Sequence, residues 1–457
     1  MNFIYSFIVI WLSLAATPLI VRNDRIRHVL ACAMMPLFAL VLFLCGTSLL
    51  PWQRLMATTF GLLLVIKAIV LLRYSASDMR QFETLGLLLF MSIWPGMNAE
   101  PFRARVKTNE DGVKFARGFV VCIMGLFLFF ATSLLVPALS PNVATWTAIA
   151  ACLIAIHLGY ADILTSLMRL GGWDVDPLFD RPLRSVSLRD FWSCRWNLAF
   201  SDMNRILLIK PLTKWVGAPI ALFLVFLVSG LLHDACISYS AWGGWGMPLV
   251  YFLIQGTGAY LERRLKIEKF WTLPLRISWT WLWILLPLPL LFTHVFRHTF
   301  ILPALNFAHA QIFSHSLYWY SDRALWLAGL GNFVTLAAGL QVPFRLKWMD
   351  ELAKLSPFNR KIFLNYAIYV GLTIVSIGTL TFYLHDELLG TSRATNALCM
   401  LMGGFWGLRI LVDFFWFKHQ DWPRGPSFVI GHTCLTALFF SLTSTYLGLA
   451  LWHLSGG

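Results

Sequence analysis

The chain has 457 residues and a formal net charge of +14, yet 58% of its residues are hydrophobic and only 13% are charged. With a mean hydropathy of +0.69, it carries more apolar surface than a soluble domain can hide, which specifies an integral membrane protein. Its Lys and Arg residues fall in short clusters between apolar stretches, with no aromatic-studded basic domain to follow a phosphate backbone. Nucleic acid is therefore excluded as a partner, and the charge is left to set topology.

Apolar stretches near the ~20 residues that a membrane helix needs run over 3–20, 29–50, 55–73, 118–138, 143–167, 216–238, 245–262, 274–293, 322–341, 362–384, 395–417 and 427–453. They predict an all-α, polytopic membrane fold of about 11–13 transmembrane helices. The first stretch lacks the basic leader of a cleaved signal and is expected to be retained as a span. The run 82–97 contains Trp94-Pro95-Gly96, which breaks a helix, and reads as a re-entrant or interfacial segment. If that run does not cross, Arg22, Arg25, Arg27, Arg73, Arg80 and the clusters at 103–117, 263–269 and 345–361 share one side, expected to be cytoplasmic.

The connection 169–214 falls on that side too. It interleaves Trp173, Phe179, Phe191, Trp192, Trp196 and Phe200 with Arg181, Arg184, Arg189, Arg195 and Arg205, which suits a segment in the membrane interface or dipping into the protein. A boundary is expected near 320–345, with a long basic connection from Val342 to Lys361, dividing residues 1–320 from a C-terminal module, 321–457. The eight cysteines form no CxxC pair, and six lie in apolar segments, where they act as small hydrophobes.

Two polar interruptions carry the chemistry. His233 sits deep in the apolar run 216–238, where a charged group costs roughly 2–3 kcal/mol or more, so a functional role is the default. A neutral histidine bonded to a neighbouring helix is the alternative. Ser229 lies one turn earlier on the same face, Gly230 permits close approach of another backbone, and Asp234 adds an ionisable group. A neutral imidazole here could accept a proton from an alcohol, as a general base. The second interruption, Asp190 to Asn197, resembles an interfacial aromatic belt except for Asn197, whose amide could stabilise negative charge on a reacting carbonyl.

Other clusters compete less well. His294, His298, His309 and His315 contain one His-x-x-x-His pair but no adjacent His-His, so no metal site is expected. Asp174, Asp176 and Asp180 read as a solvated turn around Pro177. Arg409 and Asp413 should pair across one helical turn.

The string Asp190-Phe191-Trp192-x-x-Arg195-Trp196-Asn197, followed 36 residues after Asn197 by His233 in Ser-Gly-Leu-Leu-His-Asp, resembles the asparagine and histidine motifs of membrane-bound O-acyltransferases. Its nearest branch is the wax synthases, and Trp94-Pro95-Gly96-Met97 also looks like a motif of that branch. The likeness covers roughly residues 1–320. It departs at Ser193-Cys194, where the branch more often has a glycine and a basic residue, and at Asp234, where it often has glutamate. The resemblance implies transfer of a fatty acyl group from acyl-CoA to a lipid hydroxyl, with acyl-CoA as co-substrate and no further cofactor. His233 would be the base, Asn197 would stand at the thioester, and Trp196 would line the same cavity; Trp192, Arg195, Asp190, Ser229 and Asp234 are the expected substrate-binding neighbours. The implied acceptor is a long-chain alcohol. Diacylglycerol, a sterol or another hydroxyl remains an alternative, as does a non-catalytic lipid transporter or scaffold. The expected setting is a bacterial inner membrane or the endoplasmic reticulum, with the site loop facing the cytoplasm.

Overall fold

The computed structural model describes residues 2–110, 112–417 and 425–455. Among them there are helices and no strands. Two compact units emerge: Met1–Glu110 with Arg117–His309, and Asp111–Ala116 with Ala310–Gly457.

The first unit contains α1 (Asn2–Ile20) and α2 (Asp24–Cys45), the continuous helical span α3 (Pro51–Leu72) and a nine-residue helix α4 (Thr84–Ser92). There follow α5 (Val113–Leu135), the span α6 (Pro141–Leu170), a short α7 (Leu198–Asn204), the span α8 (Ile220–Ala241), α9 (Met247–Arg264), α10 (Leu273–Leu285) and α11 (Leu302–Phe313). The second unit is built on α12 (Leu317–Gly339), α13 (Pro357–Tyr383), α14 (Arg393–Phe415) and α15 (Pro426–Leu454).

Eleven helices among the described residues are long and apolar enough to cross a membrane. The twelfth stretch expected from sequence, 245–262, is indeed a helix, α9, but it falls outside that set. Its apolar run is diluted by Gln255, Glu262, Arg263 and Arg264. At about 13 Å, α4 is too short to span a bilayer; it ends before Trp94-Pro95-Gly96, whose tryptophan is buried.

Within a bilayer no water satisfies the last four carbonyls of a helix, so the protein must do it. Buried cations perform that task in the first unit. Arg27 donates to the carbonyls of Pro18 and Val21 at the end of α1, at 2.7 and 2.8 Å, and to those of Leu71 and Tyr74 at the end of α3, at 2.7 and 2.8 Å. Arg54 donates to the carbonyls of Leu49 and, at the end of α8, Ser240. Lys67, inside α3, gives its ammonium to the carbonyls of Phe90 and Trp94, where α4 ends. In each case a positive charge meets the negative end of a helix dipole.

The second unit has a different centre. Trp406 Nε1 donates to Asn332 Oδ1 at 3.1 Å, and Asn332 Nδ2 donates to the Tyr446 hydroxyl, which lies 2.7 Å from Thr381 Oγ1. This buried network links all four long helices with every member satisfied. Asp413 is paired with Arg409, as expected, and also lies 3.1 Å from His432 Nε2.

Candidate active site

His233 projects from the middle of α8. Its Nδ1 lies 2.7 Å from the carbonyl oxygen of Ser229. A carbonyl can only accept, so Nδ1 carries the proton, and in the neutral ring Nε2 holds the lone pair. Ser229 therefore acts through its main chain; its hydroxyl donates to the Val225 carbonyl. The imidazole packs on Phe252 at 4.3 Å between ring centroids and edge-on to Phe200 at 6.0 Å. Gly230 is needed beside it: a Cβ there would stand 2.9 Å from the Cα of Leu249 in α9.

Asn197 occupies a turn between a π-wound segment, Phe191–Arg195, and α7. Its backbone is left-handed, with φ 46° and ψ 60°, a conformation that asparagine tolerates better than most residues with a Cβ. Oδ1 accepts from the Phe200 amide at 3.2 Å and so caps α7. The turn is tied down on both sides by Asp180 N to Arg195 O and Leu198 N to Leu178 O, each 2.9 Å. With Oδ1 occupied, the Nδ2 amide keeps its two N–H groups for a ligand.

Phe200 joins the two residues. Its amide is capped by Asn197 and its ring faces His233. A second aromatic link runs from His233 through Phe252 to Trp192, 5.6 Å away. Trp192 Nε1 donates to Gln255 Oε1, and Gln255 Nε2 donates to the Trp283 carbonyl, so the indole is fixed by α9. Trp196 stacks nearly parallel to two rings, Phe191 at 5.4 Å and His157 at 5.6 Å.

His157 did not stand out in the sequence. It lies in a π-wound turn of α6, Leu153–Tyr160, a type of helix irregularity frequent at functional sites, and its buried Nδ1 has no hydrogen-bond partner. The signal that could have found it is the one that found His233: an ionisable side chain inside an apolar span.

The remaining motif residues hold the loop. Arg195 Nε donates to Asp190 Oδ2 at 2.7 Å, and this bond raises the arginine's pKa above its ordinary value. Asp190 also accepts from the Val186 amide. Glu262 of α9 accepts from the Leu188 amide at 2.7 Å, fixing the start of the same segment. Asp234 Oδ1 accepts from the Ser238 hydroxyl and the Gly246 amide, bracing the turn between α8 and α9. Asp202, beside a narrow cleft formed by Trp94, Gly96 and Asp176, has its carboxyl pushed up by burial, against the pull of Arg205. Among the described residues no three His, Cys, Asp or Glu side chains converge on a possible metal position; His294 and His298 stack at 4.0 Å.

Residues 175–254, which hold Asn197 and His233, match the model of the membrane bound O-acyl transferase family. Among similar proteins is a probable long-chain-alcohol O-fatty-acyltransferase 6 of Arabidopsis thaliana, 24% identical over 39% of this chain and 56% of its own length. The long-chain-alcohol O-fatty-acyltransferase of Simmondsia chinensis is 32% identical over 21% of this chain and 30% of its own length. An acyl-CoA–sterol O-acyltransferase 1 of Arabidopsis thaliana is 30% identical over 28% and 41%. The chain thus spans about half, or less, of the length of the relatives it matches. The likeness to the membrane bound O-acyl transferase family, and to its long-chain-alcohol O-fatty-acyltransferases, thus centres on the segment that holds Asn197 and His233, in a chain with eleven candidate membrane spans among its described residues.

Proposed function

We propose that the protein transfers a fatty acyl group from acyl-CoA to the hydroxyl of a lipid acceptor, a long-chain alcohol before other alcohols, to give a wax ester. The observation that carries this reading is the His233 geometry: Nδ1–H is committed to the Ser229 carbonyl, which leaves Nε2 as the basic atom of a ring that packs edge-on to Phe200, the residue whose amide Asn197 caps.

In this reaction the alcohol hydroxyl gives its proton to His233 Nε2 while its oxygen attacks the thioester carbonyl. Asn197 Nδ2 donates to the oxyanion that forms, and the intermediate collapses as the C–S bond breaks. The departing thiolate takes the proton from Nε2, leaving ester and thiol with the imidazole neutral again. The apolar rings of Phe200, Phe252 and Trp192 keep water from competing with the alcohol. The wax synthase relatives support a long-chain alcohol as acceptor, and the sterol acyltransferase relative makes a sterol the second one to try.

The test gives membranes containing wild type or His233→Ala labelled acyl-CoA with hexadecanol, diacylglycerol or a sterol in parallel. Ester from wild type with hexadecanol, and none from the variant, is expected. Equal ester from both proteins removes the base, and no ester with any hydroxyl acceptor turns the reading toward lipid binding without chemistry.

A further inference from the structure

Between α2 and α3, at their arginine-rich end, lies a groove of about 510 Å³, within the ~300–1,000 Å³ range of ligand sites. Its mouth is cationic. Arg73 is exposed and its guanidinium makes no hydrogen bond or ion pair among the described residues, while His28 has only the Cys32 sulfur nearby, at 4.0 Å. Arg27, at the back, is held entirely by carbonyl oxygens. The one lining carboxylate, Asp24, already accepts from the Ala76 amide.

The floor is apolar, formed by Ala31, Ile69 and Leu72. About one helical turn deeper, Met35 follows Ala31 on α2 and Ile66 precedes Ile69 on α3. Those two side chains belong to the apolar cluster of Met97, Met203, Phe200 and Leu232, and Phe200 is the ring that faces His233. The apolar window of α2 is not buried inside the protein, so the groove is open sideways to acyl chains.

We infer that this groove binds an anionic phospholipid, with its phosphate at Arg73 and His28 and an acyl chain laid over Ala31 and Ile69 toward the His233 cluster. Arginine pairs with phosphate through two parallel hydrogen bonds, and the apolar floor favours a ligand that brings its own hydrocarbon. A free phosphate or a nucleotide would leave that floor bare. The assignment stands on the groove's own chemistry and does not require acyl transfer.

Native mass spectrometry of the purified full chain in detergent tests it, using phosphatidylglycerol and phosphatidylcholine of matched chains. Wild type should retain phosphatidylglycerol at least ~10-fold better than phosphatidylcholine. Arg73→Glu should abolish the preference, Ile69→Trp should weaken both lipids by filling the floor, and Arg80→Glu, at a basic residue outside the groove, should change neither. Unfolding temperatures measured in parallel show which variants remain folded. Inorganic phosphate or coenzyme A at millimolar concentration should not displace the lipid. The inference is overturned if Arg73→Glu retains the preference, if Arg80→Glu loses it equally, or if either soluble phosphate compound competes.

Discussion

Asn197 uses the two ends of its amide separately. Oδ1 caps α7 and the left-handed backbone turns the chain, while Nδ2, in the acyl-transfer reading, serves the substrate. Asn197→Gly keeps the backbone conformation at no steric cost and removes only the side chain. It should fold with a nearly unchanged unfolding temperature while ester formation falls roughly 10²-fold or more. Asn197→Ala adds about 1–2 kcal/mol of left-handed strain to that loss, so its unfolding temperature should fall as well; fluorescence-monitored melting and the ester assay separate the effects. His157 acts on the same turn through its stack on Trp196. His157→Phe preserves a flat ring and removes an unpaired buried nitrogen, so turnover should stay close to wild type. His157→Ala leaves Trp196 free to tilt, and kcat should drop about tenfold with KM little changed, as expected when a reacting group is misplaced.

At the scale of helices, the buried cations decide which ends can meet. Lys67→Met removes the donor shared by the Phe90 and Trp94 carbonyls, each left buried at a cost of about 1–3 kcal/mol. A lower unfolding temperature in detergent is expected, with α4 and the Trp94 turn the first to exchange amide hydrogens. The same residues explain what the sequence revealed. Apolar runs located the spans because a membrane helix is recognised by length and hydropathy alone; the run 245–262, counted among them, is the helix α9, which Gln255, Glu262, Arg263 and Arg264 leave outside the set apolar enough to cross. Arg27 looked like a topology signal and Lys67 drew no notice, although each is spent on carbonyls that lie far away in sequence or on another helix. His233 and Asn197 stood out as candidates because a polar group in an apolar setting is conspicuous. Their connection through Phe200, and the stack of His157 on Trp196, depend on tertiary folding and left no local trace.

For the whole molecule, the basic clusters that give the chain its +14 charge predict a single cytoplasmic side carrying the 169–214 connection. Cys194 provides the means to check, because it is a free thiol, exposed, and inside that connection. In sealed vesicles of known orientation, a membrane-impermeant maleimide should modify Cys194 from the cytoplasmic face only, as read by peptide mass analysis. Modification from the opposite face inverts the topology.

The bond from His233 Nδ1 to the Ser229 carbonyl also turns the imidazole into a device with one port. A ring free at both nitrogens can take a proton at one edge and release it at the other, toward bulk solvent. Here the far edge is locked to the helix, so whatever enters at Nε2 must leave at Nε2. In the acyl-transfer reading, the alcohol oxygen and the thioester sulfur must then visit the same point in space, one after the other. A single compound joining a long alkyl chain to a pantetheine-like thioether, with both heteroatoms converging there, should occupy the site as no separate pair of substrates can.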